Sequence, residues 1–549
     1  MPLNRAAPSG GSFHRRFTDY RGLYFDDFAE DSAWIREEAS LRLPPLDGID
    51  TLVLRGEYRP HPAARGIEAG SPSLSVTLNQ APVASLVPAA PGPWELRLPL
   101  TAAGRTEHPA LALTLGGVAR TNALAWLGRV SGLPAAQRFR AQNRNRQLRI
   151  RSLSTASGEL IYDFAQRQSP LCRAFVRRHA HLGINVVGFL TADLGVGESA
   201  RCMVRAADAA GLPVALVPLK LNCLNPLGDP TYAARLRDEN PLGVNVIHVD
   251  PPAARDLDHH HGPGLRRGKY NIAYFAWELP EFPDAWVESL DYFDEVWCPS
   301  DFTRAAVAAK SPWPVLTFPH AIAFERPAGD RSALRARFGL PADRFLFLSL
   351  FDLNSYSARK NPEGALAAFA QSNLAAEGAH LVVKVHNAGA NAADLDRLRA
   401  AAAAQPGIVL LTETLSRPDT YALEAACDCL VSLHRSEGFG LVVAECMYLG
   451  LPVVATDWSA TAEYVTAENG FPVRCTEVAL ERSHGPYAKG SIWAEPDVGH
   501  AAEQMRRAAG DDALRKRIGA AARRTVEERF SPARIGAAYR RRLESIATF

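Results

Sequence analysis

Two rhythms of hydrophobic and polar positions divide the chain. In residues 1–175, alternating runs such as LRLPPL, TLVLRG, LSVTLNQ, WELRLPL and LALTLGG are separated by Pro, Gly and Asn. Period-two alternation bounded by turn formers predicts antiparallel strands with one buried face, a β-rich sandwich-like domain. Asn79-Gln80 is an expected turn. Trp34 and Trp94 are candidate core aromatics, with stacking on a sugar as the alternative for an exposed indole. From residue 181 the rhythm becomes strand–helix alternation. INVVGFL (184–190) reads as a buried strand, followed by a helix from about Glu198 to Gly211 with Met203, Ala206, Ala207 and Ala210 at helical spacing. VALVPL, VNVIHV, NIAYFA, DEVWCP and VLTF complete a unit over 181–325. After 326 a second set begins, with FLFLSLF, HLVVKV, IVLL, CLVSLH and PVVAT between helical segments up to 525.

Short apolar strands between helices imply parallel sheets covered on both faces. Two such sets in series make two doubly wound, Rossmann-like α/β domains with a cleft between them. Ligands of such sheets lie beyond the carboxyl ends of the strands, so the loops there are where chemistry is expected. Residues 526–549 end in RFSPARIGAAYRRRLESI. Ser531-Pro532 is an N-cap and first-turn pair, and Ile535, Tyr539, Leu543 and Ile546 form one apolar stripe that must lie against a partner.

Composition narrows the class. The 549 residues are 47% hydrophobic and 22% charged, with a formal net charge of +2, too balanced for a dedicated nucleic-acid binder. The Met1 end lacks the apolar core of a signal peptide, and no apolar run is long enough to span a bilayer. The eight cysteines (Cys172, Cys202, Cys223, Cys298, Cys427, Cys429, Cys446, Cys475) include no C-x-x-C, and read as reduced thiols in a cytoplasmic protein. One segment departs from the balance. QRFRAQNRNRQLRIR carries Arg138, Arg140, Arg144, Arg146, Arg149 and Arg151, which suits a strand with a basic face, either solvated or turned to an anionic partner.

The densest chemistry lies in HRSEGFGLVVAECMYLGLPVVATDW. CLVSLH ends near His434 and a helix runs from about Gly440 to Leu449, stopped by Gly450-Leu-Pro452. Glu437-Gly438-Phe439-Gly440 therefore lies between a strand end and a helix start, where free amides and the helix dipole suit a phosphate and small glycines let it approach. A carboxylate at that point repels phosphate, so Glu437 is better suited to neutral hydroxyls of an attached sugar. Glu445, among Val442, Val443, Ala444 and Cys446, needs hydrogen-bond partners that a ribose diol would supply. The two acids fit the two ends of a nucleotide sugar.

With these residues in place, the segment resembles the E-x7-E signature of family 4 (group 1) retaining glycosyltransferases, which have the GT-B fold. CDCLVSLHRSEGFGLVVAECMYLGLPVVATDWSATAEYV is similar to that family's most recognisable block, and YAKGSIWAEPDVGHAAEQMRRA and FSPARIGAAYRRRL are similar to the tail of one subgroup. The resemblance spans about 180–549. It implies donor-sugar contact by Glu437, ribose contact by Glu445, and diphosphate contact by the amides around Gly438, Phe439, Gly440 and Leu441. In FDLNSYSARKNPEGALAAF the family has an arginine followed six residues on by a lysine, both on the diphosphate. Lys360 matches the lysine. Asn354 stands at the arginine position, a departure that Arg359 is placed to offset. The terminal helix would cross back onto the first α/β domain.

In that first domain, Gly195-Val-Gly197-Glu-Ser-Ala200 formally fits the dinucleotide pattern G-x-G-x-x-G/A, but the strand-to-glycine spacing is loose and the second strand ends in Lys220 rather than an acid. The loop is more like the family's Gly-rich acceptor loop. Trp277-Glu278 follows a strand, and the segment lacks the histidine that many family members have near there, which makes Glu278 its polar candidate. His248 and His320 are further candidates, with structural roles as the alternative. His259-His260-His261 reads as an exposed loop triplet without a second ligand cluster.

The resulting expectation is a retaining hexosyltransferase, mannose or glucose type, using a GDP- or UDP-linked donor. Its acceptor is a hydroxyl of a glycan or lipid-linked acceptor in surface-polysaccharide synthesis. Glu437, Lys360 and Arg359 are its catalytic residues. No cofactor or metal is expected, since no D-x-D stands at a suitable strand end. The expected location is cytoplasmic, including the inner face of the membrane, with the N-terminal domain contacting acceptor, membrane or assembly partner. Alternatives are a nucleotide-sugar epimerase or hydrolase on the same fold, a non-catalytic carbohydrate-binding scaffold, and, last, an NAD-dependent oxidoreductase.

Overall fold

The computed structural model describes residues 20–24, 32–43, 46, 48–59, 72–100, 109–116, 148–158, 160–164 and 183–548, apart from 224, 263, 267, 268, 312 and 390. The expected strands of the first region pair antiparallel into one nine-stranded sheet. Its order runs Ala81–Leu86, Ser73–Leu78, Ala110–Gly116, Ala33–Arg42, Leu148–Thr155, Thr51–Tyr58, Gly92–Pro99, with Tyr20–Tyr24 and Leu160–Asp163 added at the side. The two end strands of that path lie close together, so the sheet curls around a shared core of Leu41, Leu52, Leu54, Val76, Leu113 and Leu153. Asn79 and Gln80 both take positive φ (49° and 71°), the primed turn geometry that matches the twist of a two-residue hairpin. Trp34 is wholly buried, in line with the core reading.

The arginine-rich segment lies largely outside the described residues. Its last two members do not form a basic face: buried Arg149 donates to Ser32 Oγ at 3.0 Å, and Arg151 pairs with Glu57 at 3.0 Å. Arg149 is used inside the fold, whereas Arg151 pairs with Glu57 at a partly exposed position.

The two α/β domains follow the expected strand list. In the first, six parallel strands run in the order 2-1-3-4-5-6 by that domain's own count, from Ile184–Gly188 through Val315–Thr317. At the end of the sheet away from the cleft, Asn185, Asn245 and Asn271 stand level on neighbouring strands and bond side chain to side chain, each at 2.9 Å. This satisfies three buried amides that would otherwise oppose folding. In the second domain the order is 3-2-1-4-5-6, from Leu346–Asp352 to Phe471–Val473. Both arrangements reverse direction beside the first strand, and the switch points face each other across the cleft.

Two boundaries differ from expectation. The first helix is Gly195–Ala209, beginning three residues earlier than the Glu198 start, because Leu194 O already accepts Glu198 N at 3.0 Å. Between the last parallel strand and the C-terminal helices stands an antiparallel hairpin, Cys475–Ala479 with Ile492–Pro496, absent from the expected list. Arg435 holds it to the second domain by two bonds to Glu495, at 2.5 and 2.9 Å.

The terminal helix Pro532–Thr548 packs on the Gly195–Ala209 helix, and Ile535, Tyr539, Leu543 and Ile546 are all buried there. At about 1.5–3 kcal/mol per large apolar side chain, this stripe is what returns the chain to the first domain. Tyr539 stacks on Trp297 with ring centres 5.3 Å apart, and Arg542 closes on Glu295 at 2.5 Å.

Candidate functional site

The helix Leu441–Leu449 begins where the sequence placed it. Gly440 enters it with φ +86°, a conformation that glycine takes without cost. A Cβ there would lie 2.6 Å from Thr461 Cγ2 and 3.0 Å from Tyr464 Oη. Gly440 offers no side-chain cap, so the amides of the first turn keep no side-chain acceptor and the positive end of the helix dipole is left to other groups. Phe439 turns away from that end into the core, against His320, Tyr464 and Phe530. Gly438 is the contact with the other domain: its carbonyl accepts from Ser300 Oγ at 2.7 Å, and a Cβ would meet Trp277 O at 3.2 Å.

Three sequence candidates converge beside this helix start. Lys360 Nζ lies 2.5 Å from Glu437 Oε1, and Arg359 Nη1 lies 3.3 Å from Oε2. Lys360 and Arg359 sit on the short helix Ser357–Lys360, entered through Tyr356 at φ +61°. Arg359 is buried and also donates to Ser436 O at 2.8 Å, with its guanidinium 5.9 Å from the Tyr487 ring. Burial alone would push the Glu437 carboxyl up, but the two cations hold it down at about 2. Glu437 is ionised, and the cluster carries one anion between two cations. Asn354, at the position where the family arginine was expected, is exposed and reaches Asn225 of the first domain at 3.3 Å, outside this cluster.

Glu445 lies on the buried side of the helix and is 2% exposed. One of its oxygens is held by Arg417, which the sequence reading missed. Arg417 opens the helix Arg417–Ala426, so only the Ser416-Arg417-Pro418 helix-start pattern marked its place, and nothing in that pattern points toward Glu445.

Across the cleft, Glu278 faces the same cluster. Its Oε1 lies 3.7 Å from Arg359 Nη2, and its Oε2 accepts from Tyr487 Oη at 3.0 Å. Tyr487 comes from the loop of the unexpected hairpin. Trp277 is buried, with Nε1 on Glu281 O at 2.9 Å and its ring against Trp286 and Tyr487, so its side chain serves packing rather than a cleft surface. Its carbonyl accepts from Thr303 Oγ1 at 2.7 Å.

The remaining first-domain candidates divide. Gly195 starts the helix with open space at its Cβ position, whereas Gly197 is needed for packing, since a Cβ there would lie 2.6 Å from Phe189 O and 2.7 Å from Ala192 O. His248 is corrected. Its ring is wholly buried between Ser199 Oγ (3.0 Å) and Met203 Sδ (3.4 Å), and burial pushes its pKa down to about 3, so it is a neutral structural group away from the cleft surface. His320 is likewise buried and neutral, bonded to Tyr274 Oη at 3.2 Å. The histidine triplet ends a helix, Leu257–His261, rather than lying in a loop, and His261 Nε2 accepts from Lys220 N at 2.9 Å.

Among the described residues no helix is long and apolar enough to cross a membrane, and no group of three or more His, Cys, Asp or Glu is placed to hold a metal ion.

Residues 330–525 match the family model described as Glycosyl transferases group 1. A comparison with curated protein sequences found no match. Among solved structures, the chain is similar to Anabaena HepE in complex with UDP-glucose, with 16% identity, 66% of this chain and 100% of that chain covered, and a TM-score of 0.48. It is also similar to a glycosyltransferase from Rickettsia africae (13% identity, 67% and 99% covered, TM-score 0.49). Sucrose-phosphate synthase from Thermosynechococcus elongatus gives 15% identity, 67% and 99% covered, and a TM-score of 0.49. Residues 330–525 are thus similar to the group 1 glycosyl transferases, and they lie within the second of two doubly wound domains that together have the GT-B architecture.

Proposed function

We propose that this chain moves a hexose of mannose or glucose type from a GDP- or UDP-linked donor to a hydroxyl of a glycan or lipid-linked acceptor, with retention at the anomeric carbon. The observation that carries this reading is the convergence of Glu437, Lys360 and Arg359 at the start of the Leu441–Leu449 helix, with Glu445 about one turn into it. The diphosphate goes to the uncapped helix start. There the first-turn amides, Lys360 and Arg359 stabilise the charge that grows on the leaving oxygen. Glu437, ionised and held by both cations, accepts hydrogen bonds from the sugar hydroxyls and fixes the sugar against the phosphate. Glu445 takes the ribose.

The acceptor enters from the first domain, beside Gly195 and Glu278. Glu278 braces the cleft by a 3.7 Å ion pair with Arg359 and a hydrogen bond accepted from Tyr487 Oη. The acceptor proton leaves to the departing diphosphate on the same face of the sugar, which gives retention without a protein nucleophile. Surface-polysaccharide synthesis is the process that consumes such a product. Action at the inner face of the membrane, with the N-terminal sheet contacting acceptor or assembly partner, completes the proposal.

The test is a thermal-shift screen over UDP-, GDP- and ADP-sugars, followed by a transfer assay with the stabilising donor and analysis of the product anomer. Stabilisation by one nucleotide class with retained configuration supports the reading. Sugar release at the same rate with and without acceptor favours a hydrolase instead.

A further inference from the structure

Arg417 stands at the seam between the two domains. Its Nη2 donates to Glu445 Oε1 and, at 2.9 Å, to Tyr421 Oη, while its guanidinium lies 4.7 Å from the Tyr421 ring. On the other side, its Nε is 3.7 Å from Glu198 Oε2, on the Gly195–Ala209 helix of the opposite domain. Glu445 is thus gripped through one oxygen only. Its second oxygen, Oε2, is buried and has no hydrogen-bond partner.

A buried carboxylate oxygen without a donor costs free energy that folding alone has no reason to spend. A ligand hydroxyl removes that cost. We propose that Arg417 is a positioning residue of the donor site: by holding Oε1 of Glu445, it orients the carboxylate and leaves Oε2 as the acceptor for the ribose diol of the nucleotide. This rests on the donor-site reading above.

The surroundings explain why a cation is needed there. Burial, with the Glu198 carboxylate, pushes the Glu445 carboxyl above the ordinary value, and Arg417 and Arg205 offset that rise only in part. Glu424, on the same helix as Arg417, is buried with both oxygens unpartnered, and its carboxyl is pushed well above the usual range by burial and by Glu445. The other titratable neighbours, Cys202, Tyr421, Cys446 and Tyr464, are all pushed up by burial and stay neutral. Arg417 is therefore the cation in contact with Glu445, and its removal favours the protonated acid, a poorer acceptor for a hydroxyl.

The experiment is calorimetric titration of the full chain with UDP and GDP at intervals from pH 5 to 8.5. Wild type, Arg417→Gln and Arg417→Lys are compared, the titration of the nucleotide phosphate being common to all three. In Arg417→Gln, binding at pH 6 falls about tenfold or more and recovers as pH rises, with its midpoint shifted upward by about one unit or more. Arg417→Lys, which keeps the cation and also serves if the glutamine variant does not fold, retains the wild-type midpoint. A wild-type midpoint in Arg417→Gln, or an upward shift in Arg417→Lys, overturns the proposal. Failure of wild type to bind either nucleotide strikes the donor-site reading instead.

Discussion

Lys360 and Glu437, 77 residues apart in the chain, form an ion pair 2.5 Å long at the start of the Leu441–Leu449 helix. The pair joins the end of one strand–helix unit to the end of another, and Arg359 completes it from the second carboxylate oxygen at 3.3 Å. Lys360 is the partly exposed member, so its ammonium can pass from Glu437 to an arriving phosphate. We predict that Lys360→Ala lowers turnover by about 10²–10³-fold, the loss typical of one preorganised charge-stabilising donor. Its thermal midpoint should stay near wild type. Steady-state transfer with a wild-type-like kcat would sink the donor-site assignment.

Glu437→Ala differs, because it leaves the buried Arg359 guanidinium without its carboxylate. Breaking one side of a buried ion pair costs about 3–5 kcal/mol. This variant is expected to lose transfer and also to unfold earlier in denaturant, whereas Glu437→Gln loses transfer with a smaller stability cost. Equal denaturation midpoints for Glu437→Ala and wild type would contradict the burial argument.

Gly440 tests the helix start without touching charge. An alanine must adopt φ +86° and push its methyl toward Thr461 Cγ2 at 2.6 Å. The backbone conformation costs about 1–2 kcal/mol, and the clash adds to it. We expect Gly440→Ala to weaken donor binding and lower stability together, read by thermal unfolding with and without nucleotide. Unchanged stability refutes the close-packing account.

Gly536 is the contact point of the terminal helix, where a Cβ would come within 2.0 Å of Ala206 O. Gly536→Val must lift the helix from the Gly195–Ala209 helix and expose the Ile535, Tyr539 and Leu543 stripe. Limited proteolysis should then cut before Pro532 faster than in wild type. Identical digestion would show that the helix contributes nothing to closure.

Buried neutral histidines set the acid side of stability. Burial holds His248 and His320 at about 3 and His434 at about 4, below the ordinary 6.5. Between those values the unfolded chain binds more protons. Stability is therefore full above about pH 6.5 and is lost as pH falls toward 3, by up to about 1.4 kcal/mol per pH unit for each histidine. Glu437, held at about 2, loses its contribution only below the usual carboxylate range. Denaturant midpoints at pH 7.5, 6 and 5 should fall progressively, and His248→Gln should flatten that fall. A midpoint constant down to pH 5 would contradict neutral burial.

Most of the fold was legible because strand and helix rhythms are local. The strands from Ile184–Gly188 to Val453–Thr456 and the apolar stripe of the terminal helix all come from spacing within a few residues. Where helix caps intervened, spacing was a poorer guide. The first helix starts early because Leu194, a residue without a capping side chain, already accepts the first helical bond. The hairpin Cys475–Ala479 with Ile492–Pro496 was missed because its first strand is half-exposed and it packs on the second domain through Arg435, a contact with no local signature.

The site divides in the same way. By itself the sequence determined that a glycine-flanked acid, a second acid eight residues on and an Arg-Lys pair stand at strand ends, because turn chemistry and helix starts are written in neighbouring residues. Only the tertiary structure decided what these groups touch. It set Arg417 on Glu445, placed Tyr487 between Glu278 and Arg359, and buried His248 between Ser199 and Met203. Each of these contacts joins segments far apart in the chain, and the strength of a charge or hydrogen bond depends on distance in space and on burial, neither of which sequence spacing encodes.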